Sequence, residues 1–451
     1  MMDLFSKLSL MYAIIWYFQF MGICPILRLK TSGGTMHKSD KSIALVLAGG
    51  GARGAYEAGV IKYILEEIPK ISETQTFFNI FSGTSIGALN SCFLASHADH
   101  PAKAAAELIK YWQSITIDKI IHFGYKELFN LFNTIIGGSA NESHFHKHKA
   151  AVRAPHPPIA GIFDSKPLFE QMRHAIPWHR IQSCFDNNSL KGLSLCATEV
   201  CTGKSTIFFQ NNTQKKNIYG SDHSKEALFV NIQLEHAMAS SAIPLIFPAV
   251  QVKGTCYTDG SLRQNTPIYP AMRLGADKML VIALSQDPEI EFCTARRGCR
   301  RNPSPGMLFL MGKVLNVLIT DALDYELKRV EMFNNIITSG EKIYGDDFLS
   351  HINELTRGYR NADYRIIETY MIRPSQNLHQ VAVDCIREVP DEINFSGLPG
   401  TLLAKLFHSN IFVDSELLSF LLFTPTYIQR LIDIGFHDAS THEKELIQFF
   451  D

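Results

Sequence analysis

Two short segments near the start of the chain leave few folds open to it. Residues Ile43 to Ala48 read IALVLA, an unbroken apolar run that leads straight into Gly49-Gly50-Gly51-Ala52-Arg53-Gly54. A strand apolar on both faces is one that other elements cover on both faces. Past the glycines, Val60, Ile61, Ile64, Leu65 and Ile68 make a helical stripe within Tyr56 to Lys70. The unit then repeats. Phe77 to Ser82 (FFNIFS) predicts a strand, Gly83 to Gly87 a tight turn, and Ile86 onward a helix lined with Gly87, Ala88, Ser91 and Ala95. Small residues on that face suit close packing against a sheet. Further strands are expected at Leu193 to Ala197, Thr206 to Gln210 and Met279 to Ser285. Strands alternating with helices imply an α/β sheet with helices on both faces.

The rest of the chain is less regular. Ala102 to Trp112 predicts a helix, and the stretch from there to about Gly161 has no clear period, which suits a lid or an acyl-chain wall. Asn211 to Lys225 reads as a polar loop and Arg296 to Pro305 as a basic break. Beyond it, Met307 to Asn334, Leu402 to Leu406 and Pro425 to Ile434 look mainly helical. With 451 residues, 46% hydrophobic and 19% charged, the chain can bury a large core and is not of disordered composition. A net charge of -1 argues against a dedicated nucleic-acid binder. The nine cysteines fit no zinc signature, even at the close pairs Cys196/Cys201 and Cys293/Cys299, and are expected to be reduced thiols.

Residues 1–40 admit three readings. The uncharged, aromatic-rich run between Lys7 and Arg28 is about long enough to span a bilayer. As a signal peptide it lacks a small-residue cleavage site. As an anchor, Arg28, Lys30, Lys38 and Lys41 would hold the remainder on the cytoplasmic side. As an upstream extension it would precede a start at Met36. A membrane-associating or dispensable segment is expected, with a cytoplasmic or membrane-associated location favoured over secretion.

Gly83-Thr84-Ser85-Ile86-Gly87 carries the clearest chemistry. A serine on a sharp strand-to-helix turn needs small neighbours, and the turn lifts its hydroxyl above the sheet edge at a helix N-terminus. That helix end favours an anionic tetrahedral intermediate. Ser85 is therefore the expected nucleophile of a serine acyl hydrolase. The run Gly49 to Gly54 would let successive amides point at one spot, either to cradle a pyrophosphate or to form an oxyanion hole. It fits G-x-G-x-x-G, but no acidic residue follows a second strand where a ribose contact would need one. The G-x-S-x-G stands there instead, and the oxyanion reading is preferred. Arg53 within the loop would bind a phosphate-bearing head group or cap loop carbonyls.

The base is harder to place. His351, His379, His408, His437 and His442 lie in helical or weakly patterned stretches without a turn signature. By contrast, Val250 to Gly260 reads as strand, turn at Gly254, and a second strand ending on Asp259-Gly260. A desolvated aspartate at that exit has a raised pKa and would accept a proton from Ser85 directly.

Four blocks in order now define a resemblance: GGGARG (Gly49 to Gly54), GTSIG (Gly83 to Gly87), ASSAIPLIFP (Ala239 to Pro248) and DGS (Asp259 to Ser261). Together they resemble the patatin-like phospholipases, over about Ile43 to Leu284, with a weaker echo at Pro425 to Ala439. The resemblance implies a three-layer α/β/α fold with a central, mostly parallel sheet and a mainly helical C-terminal part. It implies a Ser85–Asp259 dyad without histidine, and oxyanion-hole amides at Gly50, Gly51, Ala52 and Arg53. Gly49, Gly54, Gly83, Gly87 and Gly260 complete the motifs. Ser261 stands where the family usually has glycine or alanine, a change that a small hydroxyl should permit. The expected division is a hydrophobic segment at 1–40, a catalytic domain at 41–295, and a helical region at 296–451 that packs on or completes it. The expected substrate is a phospholipid or other lipid ester met at a membrane surface, with no cofactor and no metal. Whether a protein partner activates the enzyme is open. A catalytically silent lipid- or partner-binding module on the same scaffold is the alternative.

Two further clusters have simple readings. His144, His146 and His148, with His156, lack a carboxylate at ligand spacing and read as a solvated segment. Arg296, Arg297, Arg300 and Arg301 suit either a solvated linker or contact with anionic lipid.

Overall fold

The computed structural model describes residues 41–120, 161, 163–219, 224–287, 307–360, 362–393, 404 and 416–451. The segment 1–40, most of the expected lid (121–160), His144, His146, His148, His156, His408 and the four arginines from Arg296 to Arg301 lie outside the described residues. So does Leu402 to Leu406, apart from Ala404.

The apolar run after Lys41 forms β1 (Ile43–Leu47), buried along its whole length. Its side chains divide by parity, as the period of a strand requires. Ile43, Leu45 and Leu47 enter the larger core with helices α1 (Gly54–Lys62) and α2 (Ile86–Ala95). Ala44 and Val46 enter a second core, covered by Ile268 and Ala271 and by Leu323 and Val330 of a 38-residue helix, Met307–Tyr344. Both faces are covered, which is why no polar alternation appears in the sequence.

The central sheet is mixed and mostly parallel. Its other strands are β2 (Ile80–Thr84), β3 (Gly192–Glu199), β4 (Ser205–Asn211), β5 (Lys225–Phe229), β6 (Val250–Val252), β7 (Thr255–Asp259), β8 (Lys278–Ile282) and β9 (Glu368–Ile372). The main path runs β5-β4-β3-β2-β1-β8-β9, with the β6–β7 hairpin attached to β3. β1 is parallel to β2 and β8, while β3 meets β4 and β7 antiparallel. The three-layer α/β fold is as expected.

Details differ. The second strand begins at Ile80, not Phe77; just before it, the Asn79 amide donates to Ile43 O at 3.0 Å and its side chain accepts the Ile43 amide at 2.9 Å. β5 and β9 were not expected, and β9 comes from the region read as mainly helical. There, helix Pro425–Thr441 lies against α1 with the backbones almost touching. A Cβ at Gly59 would lie 2.1 Å from Ile432 O, and one at Gly435 would lie 2.2 Å from Tyr56 O. Among the described residues, no helix is long and apolar enough to cross a membrane, and no group of three or more His, Cys, Asp or Glu side chains is placed to hold a metal.

Candidate active site

Strand register places the motifs side by side. Leu47, the last residue of β1, pairs with Gly83 of β2. Thr84 pairs with Cys196 of β3, and Ala197 pairs with Asp259 at the end of β7. The glycine loop, Ser85 and Asp259 thus leave neighbouring strands in a row, beyond the carboxyl ends of β1 and β2. Open α/β sheets place their sites there.

Ser85 adopts φ 56° and ψ −123° between β2 and α2, a conformation that costs a non-glycine residue about 1–3 kcal/mol. The surrounding glycines make the turn feasible. A Cβ at Gly83 would meet Gly87 O at 2.1 Å, and one at Gly87 would meet Leu47 O at 2.4 Å. Two consecutive serines then brace the nucleophile. The Ser85 amide donates to Ser240 Oγ at 2.9 Å, and the Ser240 hydroxyl donates to Cys196 O at 2.5 Å. The Ser241 hydroxyl lies between Ser85 O at 3.0 Å and Ala237 O at 2.9 Å. The sequence marked this block without assigning it a task.

The same block holds the aspartate. Ala242 O accepts the Asp259 amide at 2.9 Å and the Thr258 hydroxyl at 2.7 Å, and the Thr198 hydroxyl donates to Asp259 O at 3.0 Å. The Asp259 side chain is buried. Its Oδ1 accepts the Ser261 amide at 2.8 Å. Burial raises this carboxyl to about 6, and the Ser85 hydroxyl and the amide and hydroxyl of Ser261 offset the effect only in part. A desolvated carboxylate beside a serine hydroxyl is what a general base needs. A Cβ at Gly260 would lie 2.1 Å from Cys196 O, so the exit from β7 also demands glycine.

The glycine loop closes onto the site from the other side. Gly51 has φ 57°, and a Cβ there would lie 2.2 Å from Phe420 O. A Cβ at Gly49 would crowd Ser261 Oγ, Asn265 Oδ1 and the Cβ of Ser85. Gly50 and Gly51 line the cavity above Ser85, but Ala52 and Arg53 do not. The Arg53 amide donates to Gly50 O at 3.2 Å, which removes it from the amides expected to hold an oxyanion. Its guanidinium is neither a head-group ligand nor a cap for loop carbonyls. It donates to Glu416 and Ser419 at 3.1 and 2.6 Å and lies 4.2 Å from the centre of the Phe420 ring. Burial opposes ionisation of Glu416, yet the charges of His379, Arg53 and Lys313 hold it down at about 2.

A fully buried carboxyl, Glu57 of α1, was also missed in the sequence. It accepts Asn90 Nδ2 of α2 at 2.8 Å, and Asn90 Oδ1 accepts the Trp112 indole at 3.1 Å. Burial pushes Glu57 well above the usual carboxylate range. The network joins the helices that follow the glycine loop and Ser85.

Two cavities meet at Ser85 and share Gly51, Ile243, Phe420 and Leu421. Asp259, Ser261 and Leu262 line only the first. Leu89, Tyr111, Leu168 and Met172 line only the second. Among the described residues, no histidine lines either one.

Elbow serine, exit aspartate and glycine loop thus stand together at the carboxyl edge of an α/β sheet. A sequence profile of the patatin-like phospholipases matches residues 45–272, half of the chain, and the protein belongs to that family. Among curated proteins, the probable lipid hydrolase 463L of Invertebrate iridescent virus 6 is 26% identical over 234 residues. That match covers 51% of this chain and 63% of the relative, so less than two thirds of the relative's length is spanned. Solved structures give weak global superpositions. VipD from Legionella pneumophila is 14% identical, with TM-score 0.28, covering 87% of this chain and 67% of that one. Human GIVD cytosolic phospholipase A2, solved with methyl gamma-linolenyl fluorophosphonate, is 10% identical, with TM-score 0.37 and coverage of 91% and 59%. The Pseudomonas aeruginosa ExoU–SpcU complex gives 14%, 0.24, 82% and 66%.

Proposed function

We propose that the protein is a serine acyl hydrolase that cleaves fatty-acyl esters of phospholipids or other lipids through Ser85 and Asp259. The observation that carries this reading is a buried, desolvated Asp259 lining the same apolar cavity as the strained Ser85. Family membership and the viral relative's description as a probable lipid hydrolase support it.

Asp259 takes the Ser85 proton as Oγ attacks the ester carbonyl. The amides of Gly50 and Gly51 stabilise the oxyanion, aided by the N-terminus of α2. Asp259 returns the proton to the departing alcohol, then deprotonates the water that releases the fatty acid. Because the base must be ionised, activity rises with pH through about 6. Residues 41–295 and the C-terminal region act as one catalytic unit in this reading, since β9 extends the sheet and Phe420 walls the site. Substrate arrives from a lipid surface. The neighbouring Leu245, 61% exposed at φ 69°, turns an apolar side chain outward beside the cavity-lining Pro244 and Ile246.

The test pairs mass-spectrometric lipid profiling with fluorophosphonate labelling. Ser85→Ala should abolish both, and Asp259→Asn should lower hydrolysis by about 10⁴-fold, as loss of a member of such a unit does. Wild-type turnover in Asp259→Asn would sink the dyad. An unlabelled wild-type serine would leave a silent lipid-binding scaffold.

A further inference from the structure

We infer that the two cavities divide the ester between them. The Met172 cavity takes the scissile acyl chain, and the Asp259 cavity takes the alcohol. Preferred substrates therefore carry hydrocarbon on both sides of the bond. The inference rests on the Ser85–Asp259 reading and deepens it.

The argument starts from the tetrahedral carbon bonded to Ser85 Oγ. Its oxyanion faces Gly50 and Gly51, so the acyl chain and the alcohol must leave in the two remaining directions. When the carbon–oxygen bond breaks, the electron pair goes to the alcohol oxygen, which needs a proton. Asp259 holds the proton it took from Ser85 and hands it over, leaving acyl-Ser85, a free alcohol and an ionised carboxylate. A proton donor must lie within hydrogen-bond reach of its acceptor. Asp259 lines one cavity and not the other, so the alcohol occupies that one and the chain turns into its neighbour.

The acyl cavity has a built wall. Helix Pro101–Ser114 contributes Tyr111, and helix Lys166–Ala175 contributes Leu168 and Met172. The Tyr111 hydroxyl donates to Met172 Sδ at 3.6 Å, and its ring stacks on Phe93 with centroids 5.9 Å apart. With its only polar atom engaged, Tyr111 presents an apolar, fixed wall. Chain length is thus read by the gap between these two helices. The alcohol cavity is also apolar, lined by Ile243, Pro244, Ile246, Leu262 and Leu417. A fully polar leaving group, such as the glycerophosphate part of a monoacyl lipid, gains nothing there, whereas an acylated glycerol buries its remaining chain.

Two crossed substrate series test this. In one, the acid varies from butanoate to hexadecanoate on a fixed nitrophenol. In the other, octanoate is held constant on ethanol or octanol. Met172→Trp should lower the hexadecanoate-to-butanoate ratio of kcat/KM by about tenfold or more, since pocket contacts discriminate by roughly that factor per methylene or more. The octyl-to-ethyl ratio should stay within about twofold. Leu262→Trp should do the reverse. Each ratio cancels a general loss of activity. If Met172→Trp does not fold, Met172→Ala should move the optimum to longer acids. The opposite pairing, or both ratios moving with either variant, overturns the assignment. Hydrolysis surviving in Ser85→Ala would instead overturn the underlying dyad.

Discussion

β1 and β2 lie side by side, and each delivers the chain into a helix through a glycine-rich turn, yet one turn presents main chain and the other a side chain. Both bend through the left-handed region at almost the same angle, φ 57° at Gly51 and φ 56° at Ser85. Where only N–H groups are wanted, glycine takes that conformation at no steric cost. Where the proposed reagent is a hydroxyl, a serine is held there under strain. Their supports differ as well. Arg53, paired with Glu416 and Ser419, pins the first turn from the far end of the sequence. Ser240 and Ser241 clamp the amide and carbonyl of the second. Strain in a nucleophile thus comes with immediate hydrogen-bonded bracing, and an unstrained backbone trap is fastened by a remote side chain.

Substitutions at each turn would break or sharpen that contrast. Among changes that leave Ser85 and Asp259 chemically intact, the largest effect is expected from Gly51→Ala, which adds left-handed strain and drives a methyl into Phe420 O. kcat should fall by about 10²–10³, the loss typical of a disabled oxyanion donor. Wild-type kcat in a folded Gly51→Ala protein would remove this amide from the mechanism. Next comes the base. An unfolded aspartate ionises near about 3.9, whereas Asp259 in the folded protein ionises at about 6. Between those values the folded state holds the extra proton, so ionising it costs stability, in full above about 6 and not at all below the unfolded value. Asp259→Asn should therefore gain about 2–3 kcal/mol in urea unfolding at pH 8, a gain that vanishes near pH 4. A gain independent of pH would contradict the shift. Ser240→Ala leaves the Ser85 amide without its acceptor and should lower kcat about tenfold, with KM little changed. An unchanged kcat would show that the clamp is dispensable. The smallest effect separates two inactive forms. Ser85→Gly relieves the left-handed strain that Ser85→Ala retains, so it should be more stable by about 1 kcal/mol in spite of glycine's greater entropy. Equal midpoints of thermal unfolding would mean that the turn carries no strain.

Much of this was legible in the sequence because it depends on local pattern. IALVLA declared a strand covered on both faces. The glycines flanking Ser85 declared a crowded turn, and Asp259-Gly260 stood at the end of a readable hairpin. What stayed hidden depends on contacts distant in sequence. Nothing near Arg53 shows that Glu416 and Phe420 absorb its charge, so a head-group role looked reasonable. The Arg53 amide seemed available until the loop was seen to close as a single helical turn onto Gly50 O. Ser240 and Ser241 were recognised as part of a block, but their grip on Ser85 spans 155 and 156 residues. Glu57 drew no reading from the sequence, because the side chains that bury it come from other segments. β9 lacks the apolar continuity of β1 and carries the mixed burial of an edge strand.

The Arg53–Glu416 pair also bears on how the protein is made. Its partners are separated by 363 residues. At a synthesis rate of about 5–20 residues per second, on the order of 20–70 s pass between them. In the later part of that time Ser85 and Asp259 are already translated, while the glycine loop still lacks its anchor and the cavities lack the Phe420 wall. A nascent chain in that state has a nucleophile and a base but no fastened oxyanion trap. On the proposed reading, the glycine loop is therefore fastened for its part only once the late segment has docked.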